Sequence, residues 1–545
     1  MISRRAWLAA GVSATAAMAL GAPASLLGAP AVHTRRRAVD LLIRGGELFD
    51  GTGAAGRALD VAVTNGRVVA IGAQLVEEAR EVIDARGLVV APGFVDIHSH
   101  ADGALYDDPR AESVIRQGIT TIVCGADGSS RAVGSPARPF GPYLESLERL
   151  RPACNVAAMV GLGSVRGAVV GNDDRPATTD ELRTMVSLVE RALADGACGA
   201  STGLEYTPGA FASREELIAL CRPLRARGLV YATHMRNEDD RLLDAIDEAV
   251  AVAEGAGCRL QVSHLKAQGP RNWDKLDTVF ARLEGAKARG VDVAFDRYPY
   301  LAYATGLTSL FPVWSRDGGT AAFFARLDDT AVRPRIREET LAKIALIGGW
   351  DNVQVTSVKA ATDRPAEGQR LGQYAASRGA DPFEVAVSLL RASDGDVGMV
   401  GFAMSEPNLE RVLAHPMGMV CTDGGGFALD GPTRRGSPHP RGIGSFPRVL
   451  GRYVRERRAL PLADAIAKMS ARPAARASLA DRGVLAVGRP ADVVVFDAAT
   501  VADVATFAQP FQYPTGIRAV VVNGHIALRD GERAPEGSGR VLRPG

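Results

Sequence analysis

Residues 88–102 read LVVAPGFVDIHSHAD, and this stretch decides the fold. An apolar run from Leu88 to Ala91 passes through Pro92-Gly93 into Phe94-Val95-Asp96-Ile97 and stops at His98-Ser99-His100. On a strand, residues i and i+2 project to one face. Two histidines at that spacing, at a strand end, present two imidazoles together, as metal ligation requires. An isolated His-x-His is more often the polar start of a loop. The company these two keep along the chain decides otherwise.

Working outward, the middle of the chain alternates strand and helix patterns, as a parallel barrel requires. Eight strands are predicted: Val95 to His98, Thr121 to Cys124, Val156 to Val160, Gly199 to Thr202, Val230 to His234, Gln261 to His264, Val291 to Asp296 and Met419 to Asp423. Apolar residues at three-and-four spacing predict helices over Glu215 to Arg227 and Arg241 to Ala256. The stretch between the seventh and eighth strands is too long for one crossover, so an inserted subdomain is expected near 312–375.

Both ends have a different texture. Leu41-Leu42-Ile43, Val61-Ala62-Val63 and Val68 to Ile71 read as short strands, with a hairpin signal at Asn65-Gly66. Asp492 to Phe496 and Ile517 to Val522 repeat the pattern, with a second hairpin signal at Asn523-Gly524. The expectation is an α/β chain. A TIM-like (β/α)8 barrel over 93–481 is joined to a small β-sandwich built from 38–92 and 482–545.

Residues 1–31 are set aside as targeting. Ser3-Arg4-Arg5-Ala6-Trp7-Leu8 reads as a twin-arginine signal, followed by an Ala/Gly/Leu-rich stretch and small-residue cleavage sites. The expected location is periplasmic or secreted. No later segment holds about 18 uncharged apolar residues, so no membrane span is expected. A net charge of +2 gives no reason to expect a nucleic-acid partner. The six cysteines form no Cys-x-x-Cys pair and suggest no disulfide framework.

Of the eight histidines, His98, His100, His234 and His264 lie at the ends of apolar strands. Cys124 ends Thr-Thr-Ile-Val-Cys and Asp423 ends Met-Val-Cys-Thr-Asp. In a parallel barrel these ends converge on the face that carries the chemistry. Together the residues read as a metal centre.

The GFVDIHSH stretch, the strand ends THMR and SHLK, FDRYPY, CTDGG and the C-terminal GRPADVVVFD resemble the amidohydrolase superfamily. Within it, Cys124 where other members carry a carboxylated lysine, together with HLK, DRYPY and RGIGSFPRVLGRYVRE, resembles the N-acyl-D-amino-acid deacylase (D-aminoacylase) family. The resemblance runs from about Val39 to the end. It implies that Cys124, His234 and His264 hold a tight zinc. It further implies that His98 and His100 form a second, weaker position with Cys124 bridging, and that Asp423 is the catalytic acid/base. Lys266, Tyr298 and Arg434 are implied around the substrate carboxylate.

The implied activity is zinc-dependent hydrolysis of N-acyl-D-amino acids, small-molecule substrates. Rival readings are a D-residue dipeptidase using the same site, a cyclic-amide hydrolase, and a non-catalytic binding protein on the same barrel. Strand four reads Gly-Ala-Ser-Thr-Gly with no lysine, which weighs against the cyclic-amide reading. Oligomeric state is not readable.

Overall fold

In the computed structural model, which describes residues 38–133 and 138–545, eight parallel strands follow one another around a barrel. Phe94–Asp96 pairs with Ile119–Cys124, and that strand with Asn155–Ala158. The third strand breaks at Met159 and resumes as Val160–Gly161, which pairs with Gly199–Gly203. Then come Val230–His234, Arg259–Val262, Val293–Arg297 and Gly418–Val420, each parallel to the one before. A parallel bridge between Ser99 and Gly424 returns the eighth strand to the first. Asp423 N–H donates to His98 O and His100 N–H to Gly424 O, both at 2.9 Å. The closing seam thus runs through the two stretches that carry His98, His100 and Asp423.

The strands divide their side chains between two apolar layers. Val95, Ile97, Val123, Ala157, Val230 and Ala232 fill the interior. Ile119, Ile122, Tyr231, Leu260 and Val262 face outward onto the helices. The helices bury matching stripes. In Thr179–Asp195 the buried residues are Met185, Val189, Ala192 and Leu193, spaced by three or four. Its start is fixed by a reciprocal cap between Thr178 and Glu181, and its end by Gly196 at φ 112°. The two predicted helices occur as Arg214–Arg225 and Leu242–Ala256.

Strands from residues 38–92 and 493–533 meet in one nine-stranded sheet. Val89–Pro92 joins them, parallel to Ala38–Leu48 on one side and antiparallel to Val493–Phe496 on the other. Leu41, Ile43, Val61, Val63, Val90, Val493, Val495 and Val521 share its buried core. Both Asn-Gly pairs sit at antiparallel hairpins with positive φ at each residue, the requirement of the tight mirror-image turn. The two turns also touch. A Cβ on Gly66 would lie 2.6 Å from Asn523 O, and one on Gly524 would lie 2.4 Å from Gly66 Cα.

Between strands seven and eight, Ala302–Gly306, Gly398–Phe402 and Val353–Ser357 form a three-stranded antiparallel sheet. Helices Gly319–Asp328, Arg333–Leu346, Leu371–Ser377 and Pro382–Ala392 lie in the same stretch. The segment 312–375 expected as an insertion falls inside this longer stretch. The expected signal, residues 1–31, lies outside the described residues. Among the described residues, no helix is long and apolar enough to cross a membrane.

Candidate metal centre

The mouth of the barrel gathers four imidazoles around one carboxylate oxygen. Asp127 Oδ2 lies 3.3 Å from His98 Nε2, 3.4 Å from His100 Nε2, 3.4 Å from His264 Nε2 and 3.8 Å from His234 Nδ1. Asp423 Oδ1 completes the ring, 3.5 Å from His98 Nε2 and 3.2 Å from His100 Nε2. His98, His234 and His264 are buried, whereas the His100 side chain is 39% exposed and opens to the cavity.

Each side chain of the ring is placed by its own stretch of backbone. His234 is the last residue of a strand and shares the inward parity of Val230 and Ala232. His264 has the opposite parity, that of Leu260 and Val262. Its strand ends at Val262, and φ of 35° at His264 turns the ring into the mouth. Asp127 and Asp423 also sit at positive φ, 51° and 49°. Three site residues thus hold backbone conformations that cost most side chains free energy, a recurring feature of functional sites. Gly125, φ 74°, starts the turn that folds Asp127 back over the strand ends, and a Cβ there would lie 2.1 Å from Met159 O.

The far side of each ring is also held. Asp296 Oδ1 lies 3.3 Å from His98 Nδ1 and accepts the His264 backbone N–H at 2.8 Å. Glu238 Oε1 lies 3.0 Å from His264 Nδ1, and Glu205 Oε2 lies 3.1 Å from His234 Nε2. A carboxylate behind a ligating imidazole fixes ring orientation and raises basicity.

The carboxylates give the mouth of the barrel a field that attracts positive charge. Burial pushes His100 toward its neutral form, yet Asp127 and Asp423 raise it to about 9. Against the same burial, Glu238, Asp127 and Glu205 raise His234 to about 10. Asp127 is held well below the usual carboxylate range, because His98 and His264 outweigh its own burial. A field that favours imidazolium so strongly favours a metal cation in place of those protons.

The donor set fits a divalent metal. Zinc bonds of about 2.0–2.2 Å leave tetrahedral donors about 3.4 Å apart, the spacing of the Asp127–imidazole contacts. His98 Nε2 and Asp127 Oδ1 are buried without a hydrogen-bond partner. The donor atoms of His98, Asp127, His264 and Asp423 all lie within 4.8 Å of one another, as do those of His234, Glu238 and His264.

Two sequence expectations are corrected. Cys124 does not join the cluster. On its strand it shares the outward parity of Ile122 and is buried in the helix-facing apolar layer. Burial pushes its thiol well above the usual range. The carboxylate that faces the imidazoles instead is Asp127, three residues on, and its signal is Asp between glycines just past a strand end, Gly125-Ala126-Asp127-Gly128. Arg434 is exposed and stacks its guanidinium 5.4 Å from the Phe511 ring, away from the cavity. The buried arginine at the site is Arg441, whose Nη1 donates to Asp423 Oδ2 at 2.6 Å. Its position follows from Pro438-His439-Pro440, where His439 Nδ1 accepts the Arg441 backbone N–H.

Lys266 and Tyr298 both face the cavity beside the imidazoles. A cavity of about 300 Å³ is lined by both, by Arg441, Asp127, Asp423, three of the histidines and Lys343. Lys266 Nζ contacts Glu238 at 2.6 and 2.7 Å. The Tyr298 hydroxyl is buried and has no partner. The Arg441 guanidinium lies 4.7 Å from the Tyr298 ring, and Lys266 Nζ lies 5.9 Å from it. Lys343, from the insertion, pairs with Asp239 at 2.6 Å and Glu205 at 3.4 Å.

The family model described as Amidohydrolase family matches residues 81–528. N-acyl-D-glutamate deacylase of Alcaligenes xylosoxydans xylosoxydans is 38% identical over 93% of this chain and 96% of its own. D-aminoacylase of the same organism is 36% identical over 92% and 97%. Among solved structures, N-acyl-D-glutamate deacylase of Bordetella bronchiseptica, complexed with zinc and a phosphonate mimic of the tetrahedral intermediate, superposes with a TM-score of 0.80. It is 35% identical and covers 93% of this chain and all of its own. With the family model spanning most of the sequence and deacylases this similar over nearly their whole length, the chain belongs to the amidohydrolase family, in its N-acyl-D-amino-acid deacylase branch.

Proposed function

We propose that the protein hydrolyses N-acyl-D-amino acids at a zinc centre, releasing a carboxylate and a free D-amino acid. The observation that carries this reading is the ring of four imidazoles around Asp127, three of them opening with Asp127 into one cavity that Asp423, Arg441, Lys266 and Tyr298 also line. The D configuration comes from the relatives, which are named for D substrates.

His234, His264 and Asp127 would hold the tight metal, and His98, His100 and Asp127 a second position. A metal held there supplies a Lewis acid and activates water at neutral pH. The protein's own groups do the rest. Asp423 Oδ1 faces the imidazoles while Arg441 fixes Oδ2, so one oxygen is free to accept a proton and return it to the departing amine. Arg441 offers two donors to a carboxylate, and Lys266 adds a point charge. The unpartnered Tyr298 hydroxyl can donate to substrate without breaking an existing bond. Tyr303, Ala304, Thr305, Gly306, Ser309 and Lys343, all from the insertion, wall the cavity and limit water. The absence of lysine from strand four, Gly199–Gly203, continues to weigh against cyclic amides. Export through the twin-arginine signal remains part of the proposal.

Purified enzyme loaded with zinc should release amino acid from N-acetyl-D-amino acids, lose that activity on chelation, and regain it with added zinc. It should leave a hydantoin unopened. Opening of the hydantoin with no D-amide turnover would replace this reading with the cyclic-amide one.

A further inference from the structure

We propose that the metal centre of this protein contains no sulfur, and that the Asp127 carboxylate is the ligand shared by its two metal positions. The inference rests on the metal-dependent reading above and goes beyond it by fixing the donor chemistry.

Asp127 Oδ2 is within 3.8 Å of a nitrogen from each of the four histidines, two from each expected position. Asp127 is 9% exposed, and its second oxygen, Oδ1, is buried with no hydrogen-bond partner. One carboxylate with one oxygen crowded by imidazoles and the other unengaged is arranged to bridge. All six cysteines are buried and unpaired. Cys124 lies in the helix-facing apolar layer. Cys421 groups with His98 and Asp296, not with Asp127, His234 or His264. No thiol therefore shares the ring around Asp127.

The donor set has a chemical consequence. Soft thiolates favour zinc and other soft ions, whereas imidazole and carboxylate accept cobalt(II) and manganese(II) as well. A centre without thiolate also has no sulfur ligand to oxidise, which suits an oxidising compartment.

The test is spectroscopic and independent of turnover. Cobalt(II)-substituted enzyme should lack the near-ultraviolet sulfur-to-cobalt charge-transfer band. X-ray absorption of the zinc form should show only nitrogen and oxygen neighbours, without a sulfur shell at about 2.3 Å. Cys124→Ser and Cys421→Ser should leave both spectra unchanged, and Asp127→Cys should introduce the band. If Asp127→Cys does not fold, the wild-type spectra decide the sulfur question, and metal content of Asp127→Ala decides the shared ligand: both metal positions should weaken together, and full retention of either overturns it. A sulfur shell in wild type that disappears in either serine variant overturns the proposal. A sulfur-free metal spectrum in a protein inactive on D-amides would leave it standing and sink only the proposed activity. Failure to bind metal at all would sink both.

Discussion

Asp423→Asn is expected to keep its metal and its fold and to lose turnover by roughly 10²- to 10⁴-fold, the scale of a lost general acid–base group. Asp423 lies three residues past the closing strand Gly418–Val420, with Oδ1 3.2 Å from His100 Nε2 and Oδ2 accepting from Arg441. Asparagine preserves the size and can still offer Arg441 an oxygen, but it cannot carry a proton between water and the leaving amine. Burial opposes charge at Asp423, yet Arg441, His98 and His264 hold it well below the usual carboxylate range. The wild-type group is therefore charged and ready to accept at neutral pH. The check is kcat alongside metal content by elemental analysis. A near-normal kcat with metal bound would show that the proton takes another route.

Arg441→Ala is expected to raise KM for an N-acetyl-D-amino acid about ten- to a hundredfold, since a hydrogen bond to a charged group contributes about 1.5–3 kcal/mol. The same variant loses its partner for Asp423, so kcat will fall too, on any substrate. The clamp is isolated by comparing the acid with its carboxamide, which has no carboxylate to hold. The acid should lose substantially more kcat/KM than the amide. Arg434→Ala, whose side chain is exposed beside Phe511, should change neither by more than about twofold, as expected of a surface substitution. Equal losses on acid and amide in Arg441→Ala would make that arginine a support for Asp423 only.

Much of the fold was legible because its signals are periodic. Eight apolar runs separated by helical stripes specify a barrel, and two Asn-Gly pairs specify hairpins that turned out to touch across the joined chain ends. The histidines and Asp423 were legible for the same reason, as polar residues terminating apolar strands. Parity was the weak point. Cys124 looks like a ligand because it too ends a strand, but it sits one residue out of phase with inward-facing Val123. The carboxylate that meets the imidazoles lies beyond the strand, in a left-handed turn at Asp127, where alternation no longer applies. His264 shows the converse. Its parity is outward, and only the φ of 35° brings it in. Arg441 was missed because the stretch from Gly424 to Pro440 has no period, so distance along the chain from Asp423 says nothing about distance in space. The insertion proved wider than 312–375 because its sheet borrows Ala302–Gly306 directly after strand seven and Gly398–Phe402 shortly before strand eight.

The central claim is that this centre hydrolyses the amide of one configuration only. The most direct measurement follows a racemic N-acetyl amino acid to completion with zinc-loaded enzyme and resolves the products on a chiral column. The account predicts that release stops at half of the starting amide, with the product all D and the unreacted amide all L. Release that continues past half, or appearance of the L-amino acid, would contradict it.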